Sequence, residues 1–245
     1  MALDKSLAPS ALLAAGIALG GLLVGNGFVR ARAADRFVEV KGVAEQEAKA
    51  DLALWPLRLV TASNDLAAAQ AALARNTSQT FAFLRRQGID TTRVEIQSVQ
   101  VTDGYANVYG GSREGAPRYV VAQVLMVRTT EIDLVVAASG KVGELISAGV
   151  VLSSGREEYG ASGPTYLFTR LNDLKPAMIR DATASAREAA EQFALDSQSR
   201  LKGIRQANQG VFVILPRDQA QGVSEESQPT KKIRVVATIQ YYLAG

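Results

Sequence analysis

The chain has 245 residues, of which 47% are hydrophobic and 21% charged, a balance typical of a folded protein. It contains no histidine and no cysteine, which excludes Ser-His-Asp and Cys-His catalytic arrangements, disulfides and cysteine-ligated zinc. Its net charge of +3 arises from 27 basic and 24 acidic residues, an excess too small to indicate binding to nucleic acid.

An apolar run opens the chain. It extends from Ser6 to Val29, twenty-four residues without a charge. A helix of this length, rising about 1.5 Å per residue, would cross the roughly 30 Å hydrocarbon core of a bilayer. We therefore predict a single N-terminal membrane-spanning helix in contact with lipid. The chain would then divide into an anchor or signal segment, residues 1–33, and a folded domain, residues 34–245.

Ala31-Arg32-Ala33 offers an alternative reading of the same segment, because a signal peptidase accepts this small-x-small pattern. The run would then be an export signal that is removed. Its length exceeds the roughly 7 to 15 residues of a signal core, which favours a retained anchor.

Four glycines in the run have a spacing that lets helix backbones approach closely in lipid. They form two pairs, Gly16 with Gly20 and Gly21 with Gly25. We predict that these glycines pack membrane helices of neighbouring copies together.

The charges that flank the run bear on orientation. Lys5 precedes it, whereas Arg30, Arg32 and Arg36 follow it, which on the positive-inside rule would leave the large domain in the cytosol. The rule weakens for long translocated domains, and the resemblance described below favours export.

The remaining sequence predicts an α+β fold with long helices packed on an antiparallel sheet. The predicted strands are Val38–Gly42, Leu52–Thr61, 94–101, Tyr119–Val127, Pro164–Phe168, Val211–Leu215 and Ile233–Leu243. The predicted helices run from Ser63 or Asn64 to Gly88, from Asp133 through Leu145 to Gly149, and from Asn172 or Asp173 to Leu201.

Several details of these elements can be compared with a structure. Pro56 cannot donate a ladder hydrogen bond, so its strand should lie at an edge or carry a bulge. The apolar phase changes near Gln97 and Ser98, which predicts a bulge there. Tyr119–Val127 is apolar at nearly every position and should be a central strand covered on both faces. The last helix should bury a narrow stripe comprising Ile179, Ala182, Ala186, Ala190 and Phe193.

The two halves of the domain share an outline. Each has a long helix, a Gly-Ile pair, a strand, a polar loop and a second strong strand; the pairs are Gly88-Ile89 and Gly203-Ile204. Two α-β-β repeats are therefore a hypothesis of internal duplication.

Five features of the sequence occur in this order: Val38-Glu39-Val40-Lys41-Gly42, Ala50-Asp51-Leu52-Ala53, Gln87-Gly88-Ile89, the alanine-spaced helix at 177–194 and Gly203-Ile204. With these features the sequence resembles the SIMPL-domain family of bacterial envelope proteins, typified by the periplasmic immunogenic protein. Two positions depart from the family pattern: Ala50 replaces the usual proline, and Gly42-Val43-Ala44 replaces the usual Gly-x-Gly.

The resemblance implies an exported α+β domain without known catalytic residues. It also implies that members can build large closed homo-oligomers and have a link to stress tolerance. With a retained span, the protein would be a single-pass protein of the bacterial inner membrane with its domain in the periplasm. Its partners would be further copies of itself and an unidentified envelope protein.

Tyr105 and Tyr109 lie among glycines in a long loop, residues 102–117. Exposed loop aromatics favour interfaces, which predicts a subunit or partner contact. The alternative is that the tyrosines lie back on their own sheet.

Glu157 and Glu158 could bind a cation with Asp173, although neighbouring acids more often form a solvated turn. We predict no metal, no cofactor and no catalytic residue. The leading hypothesis is a non-enzymatic protein that self-assembles into a ring or cage on the periplasmic face of the membrane. The alternatives are a periplasmic module that binds a ligand or partner after signal cleavage, and an enzyme that uses carboxylates.

Overall fold

The computed structural model describes residues 7–34, 36–106, 115–153 and 163–244, and within the first range it describes the side chains of residues 12–27. The helices are α1 (Leu7–Ala34), α2 (Leu66–Arg86), α3 (Ile132–Gly140), α4 (Gly143–Ser147) and α5 (Leu171–Asp196). The strands are β1 (Phe37–Lys49), β2 (Leu52–Ser63), β3 (Val94–Asp103), β4 (Tyr119–Thr129), β5 (Thr165–Leu167), β6 (Arg200–Gln209), β7 (Val213–Pro216) and β8 (Thr230–Ala244). The predicted α+β fold with antiparallel sheets is confirmed.

The helix α1 includes the predicted membrane span from Leu7 onward, and its side chains at positions 12–27 are all exposed. Among the described residues, no helix combines the length and the apolar character needed to cross a membrane. The described residues therefore do not support the predicted membrane-spanning helix.

The chain forms two compact units. The α5 unit comprises Met1–Ala44, Pro176–Phe212 and Val235–Gly245, and the α2 unit comprises Glu45–Lys175 and Val213–Arg234. We describe each unit by itself.

In the α2 unit, antiparallel strands lie in the order β3-β4-β2-β5. The alternation in β2 buries one row of side chains, among them Trp55, which is 2% exposed. These side chains share a core with Leu73, Phe83 and Leu84 of α2, and β4 is central as predicted. This core is built from large side chains.

The predicted bulge in β3 is confirmed. The register of β3 on β4 shifts between Ile96 and Ser98. Because of this shift, Ile96 faces Leu125 and Val99 faces Gln123, which places both apolar side chains on the same face of the sheet.

Pro56 lies within β2, which has β4 on one side and β5 on the other. The Val60 amide donates to the Val151 carbonyl at 3.0 Å on the β5 side, and the nitrogen of Pro56 faces the same way because it is an even number of residues away. Only Leu52–Leu54 of β2 pair with β5. Among the described residues, Pro56 thus lies at a local gap in pairing on an otherwise internal strand.

The first long helix is capped differently from the prediction. Asp65, rather than Ser63 or Asn64, is the N-cap, and its carboxylate accepts the Ala67 amide at 2.8 Å. The predicted end is confirmed, because Gly88 has φ +81°, a conformation that favours glycine.

The predicted helix from Asp133 through Leu145 is confirmed only in part, because the structure breaks it into α3 and α4 after Gly140. Its predicted end is confirmed, since Gly149 has φ +85°. Glycine propagates a helix poorly, and Gly143 on the other side of the break adds to this weakness. Asp133 caps nothing with its side chain and instead binds Lys49 Nζ at 2.5 Å.

In the α5 unit, β8 lies between β1 and β6. The prediction that the first strand ends at Gly42 is wrong, since β1 continues to Lys49. Gly42 is instead a point of close approach to α5: a Cβ there would lie 1.9 Å from the Ala182 carbonyl oxygen and 2.4 Å from the Ala186 nitrogen. Only glycine permits this contact.

The helix α5 buries a stripe of small residues, as predicted, but with different members at its ends. The buried residues are Met178, Ala182, Ala186, Ala190 and Ala194. Phe193 is 57% exposed, so its predicted burial is wrong.

The predicted extension of α5 to Leu201 is also wrong. The helix ends at Asp196, Gln198 adopts φ +53°, and the segment around Gly203-Ile204 forms part of strand β6. The predicted buried strand at Val211–Leu215 is shorter, since β7 begins at Val213 and Val211 is 83% exposed.

The two units have the same order of elements. In one, α2 is followed by β3 at an edge and by β4 in the middle; in the other, α5 is followed by β6 at an edge and by β8 in the middle. This likeness is what two α-β-β repeats require, and internal duplication stays a hypothesis.

Candidate subunit-interface site

The strands β3 and β4 end together at the root of the first long loop. Asp103 pairs with Tyr119, and the Gly104 amide donates to the Arg118 carbonyl at 2.7 Å, which extends the ladder by one step. Asn64, which lies just before α2, accepts a hydrogen bond of 2.9 Å from the Arg118 amide. The two ends of the loop are therefore fixed to the sheet and to the helix.

An ion pair closes this root. Arg118 donates from Nε to Asp103 Oδ1 at 3.2 Å and from Nη2 to Oδ2 at 3.1 Å, and the Tyr105 amide donates to Oδ1 at 3.0 Å. The Arg118 hydrogen bonds, followed by the Tyr105 amide, hold the pKa of the Asp103 carboxyl below its ordinary value. The same pair raises the pKa of Arg118.

Two aromatic rings flank the guanidinium group. The Arg118 Cζ atom lies 5.2 Å from the Tyr105 ring centroid and 4.8 Å from the Tyr119 ring centroid, within cation–π range. Tyr105 is 67% exposed, so the structure holds it in place and still presents it to solvent. Tyr109, the other predicted contact residue, lies outside the described residues.

The edge of β3 runs away from this root and has no partner strand among the described residues. Backbone direction alternates along a strand, and the Gly104 bond to Arg118 shows that even positions near this end of β3 face β4. Val99 and Val101 therefore direct their amide and carbonyl groups away from the sheet. This edge can accept a further strand.

Apolar side chains accompany this open edge. Ile96, Val99 and Val101 lie opposite the β4 residues of the core-facing row, yet they are 57%, 58% and 47% exposed. The helix α2 packs mainly on β2 and β4, so this part of the apolar face extends past its cover.

A small groove occurs elsewhere on the α2 unit. It has a volume of about 250 Å³, and its lining residues are Leu52, Arg93, Glu95, Arg128, Thr129 and Thr130. Because most of these residues are polar or charged, the groove is not the deep apolar pocket expected of a ligand-binding module.

The other predicted site residues have separate environments. A Cβ built on Gly16, Gly20, Gly21 or Gly25 would meet no atom within 4 Å, so their packing against other helices stays a prediction. No cluster of three acidic residues that could hold a metal occurs in the part of the chain described. Glu157 and Glu158 lie outside it, and Asp173 binds Arg170 at 3.1 Å.

Sequence reasoning missed the role of Asp51. Its carboxylate accepts the Thr169 amide at 2.9 Å and the Arg170 amide at 3.1 Å, immediately before α5 begins. The neighbouring Ala50 amide donates to the Pro229 carbonyl at 2.8 Å. The Ala50-Asp51 pair quoted for the resemblance is therefore a junction between three segments of the chain.

Sequence reasoning also missed the burial of Lys231, which lies among polar residues at the start of β8. Its side chain is 0% exposed, and its ammonium group binds the Glu225 carboxylate at 3.0 Å and the Glu225 carbonyl. Asp218 and Gln228 exchange two hydrogen bonds of 3.0 Å and also secure the loop before β8. A buried lysine needs such a partner, because an isolated buried charge is costly.

Together the fold and this site define an α+β protein in which long helices lie on antiparallel sheets and in which, among the described residues, the edge of β3 has no partner strand. Among family models, SIMPL, described as a protein of unknown function (DUF541), matches residues 38–241. The chain therefore belongs to the SIMPL family, as the resemblance indicated. No curated protein gives a match to this chain.

Proposed function

We propose that the chain is a non-enzymatic cell-envelope protein that self-associates into a homo-oligomer at a membrane surface. The observation that carries the proposal is the edge of β3, where Val99 and Val101 expose apolar side chains beside backbone groups that have no partner strand in the part of the chain described. Protein sheets normally cover or protect such an edge, so an exposed one is suited to pairing with another chain.

The membrane tether in this proposal rests on the amino-acid sequence. The run from Ser6 to Val29 has twenty-four residues without a charge, which is long enough to cross a hydrocarbon core as a helix. The exposed leucines and isoleucine of α1, such as Leu12 and Ile17, are surfaces that lipid would cover. Location in the bacterial inner membrane with a periplasmic domain, and a link to stress tolerance, rest on the family resemblance.

The proposal is tested by the mass of the full chain extracted in detergent, measured by light scattering at micromolar concentration. We expect a mass of several copies after the detergent is subtracted. The same chain without residues 1–34 is the control: it should stay associated if the sheet edges suffice and dissociate if helix packing is needed. A monomeric full chain would contradict self-association.

A second measurement tests the tether. Amino-terminal sequencing of the protein isolated from its native host should return the uncleaved start of the chain. A mature form that begins at Ala34 would contradict the anchor and favour the alternative of an exported binding module.

A further inference from the structure

We propose that β3 pairs with β3 of a second copy, antiparallel about a two-fold axis at Gln100, to form one continuous sheet. This inference rests on the proposed self-association and names the surface and the geometry through which it occurs.

Among the described sheet edges, β3 has the fewest features that prevent pairing with another strand. Edge strands are normally guarded by charges, lysine above all, by proline, by irregular register or by being very short. The segment from Ile96 to Thr102 is seven residues without charge or proline, with one register shift at its start.

The other described edge strands carry such guards. β7 has only four residues and ends in Pro216. β5 has only three residues. β6 contains Arg200, Lys202 and Arg205, and its register on β8 shifts twice. β1 contains five charged residues: Glu39, Lys41, Glu45, Glu47 and Lys49. β3 is therefore the edge with which a partner strand can pair most easily.

A second copy of β3 fits this edge. In the proposed register, Val99 of one copy lies opposite Val101 of the other, and both positions direct their backbone groups outward. The two residues can then exchange two hydrogen bonds, twice in each dimer by symmetry. The apolar side chains of both copies form one strip on the core-facing side, which reduces their present exposure to water.

Charge favours a second copy as well. No ionised side chain lies between Ile96 and Thr102, so two copies can pair without opposing like charges. Glu95 would lie four to five residues from the axis and would not face itself. Gln100 would face its own copy on the other side of the sheet, where two amides can hydrogen-bond.

The chain has no cysteine, so a single introduced thiol is a specific probe of this register. In the full chain in detergent, Gln100→Cys should form a disulfide-linked dimer on mild oxidation. Directly opposed residues that do not exchange hydrogen bonds have Cα atoms about 4.5 Å apart, within the range of about 4.4–6.8 Å that a disulfide spans.

Ser98→Cys is the matched control on the same strand and the same face. In the proposed register its thiol lies four residues along the strand from its counterpart, roughly 13 Å. We expect about tenfold less cross-linked dimer than for Gln100→Cys. Equal or greater cross-linking through position 98 would overturn the register.

A proline scan gives a second readout that does not depend on oxidation. Val99→Pro removes an outward amide and should lower the oligomer mass, whereas Ala207→Pro, at an outward position of β6, should leave the mass unchanged. Circular dichroism verifies that both variants fold. If the wild-type chain is an oligomer but neither Gln100→Cys nor Val99→Pro gives the expected result, the β3 pairing is wrong while self-association stands. A monomeric wild-type chain overturns both.

Discussion

The α2 unit and the α5 unit hold a helix on a sheet in opposite ways. Phe83 and Leu84 of α2 fill the space above their sheet with large side chains, whereas α5 presents alanines such as Ala186 and approaches until Gly42 touches its backbone. The same order of elements can therefore be stabilised either by side-chain volume or by close backbone contact. The two solutions should fail under different substitutions.

Gly42→Ala should have the largest effect. The new Cβ would lie 1.9 Å from a backbone oxygen of α5, and no side-chain rotation can relieve that contact, so we expect a cost above about 4 kcal/mol. Hydrogen exchange of the amides of α5 measures this cost. Gly203→Ala is the matched control, because a Cβ there meets nothing within 4 Å and should cost less than about 1 kcal/mol. If the amides of α5 are equally protected from exchange in both variants, the close backbone contact at Gly42 does not determine the stability of this unit.

Phe83→Ala should have the next largest effect, about 3–5 kcal/mol, because it leaves a cavity among the large side chains of the α2 unit. Hydrogen exchange of α2 and β4 reports it. Phe193→Ala removes the same ring from α5, where it is 57% exposed, and should change stability by no more than about 0.5 kcal/mol. If the two substitutions cost the same, the assignment of the core is wrong.

Acidification should have the smallest effect on stability. It should weaken the end of β3 in the α2 unit and leave the end of β6 in the α5 unit unchanged. The pKa of Asp103 is lower in the folded protein than its ordinary value of about 3.9. The stability that its pairing with Arg118 contributes is therefore fully present above about pH 4 and is lost as the pH falls through the lower, folded pKa. We expect the Gly104 amide to lose protection in this range.

The α5 unit supplies an internal control for that experiment. The Gly210 amide donates to the Val236 carbonyl at 2.9 Å, at a strand end secured by backbone rather than by a carboxylate. After correction for intrinsic exchange, its protection should not follow the Asp103 titration. In Asp103→Asn, the pH dependence at Gly104 should disappear, and its persistence would show that another group is responsible.

Much of the fold could be predicted because alternation reports burial directly. The rows in β2 and β8, the bulge in β3 and the end of α2 at Gly88 all follow from side-chain periodicity and from glycine. β6 could not be predicted, because an irregular, exposed edge strand has no regular apolar alternation to read. The length of β1 could not be predicted, because a glycine in this context indicates the end of a strand. Gly42 is instead required by a close contact with α5, far along the chain.

The candidate site was predictable in part. Aromatic residues between glycines indicated an exposed contact at Tyr105, which the structure presents to solvent. Its support by Arg118 and Asp103, fifteen residues apart, depends on two strands ending together. The open edge of β3 could not be inferred either, because strand order is a property of the assembled sheet. Lys231 shows the same limit, since it is buried against Glu225, six residues earlier, beside a loop that the sequence presents as polar.

The chain has one tryptophan, Trp55, and it lies in the core of the α2 unit. Indole emission shifts to the red when water reaches the ring, so the fluorescence of the unmodified protein reports the opening of this unit alone. Far-ultraviolet circular dichroism sums the backbone of both units. Recording the two signals during one thermal scan would reveal whether the units melt as one body or in sequence, without any added dye.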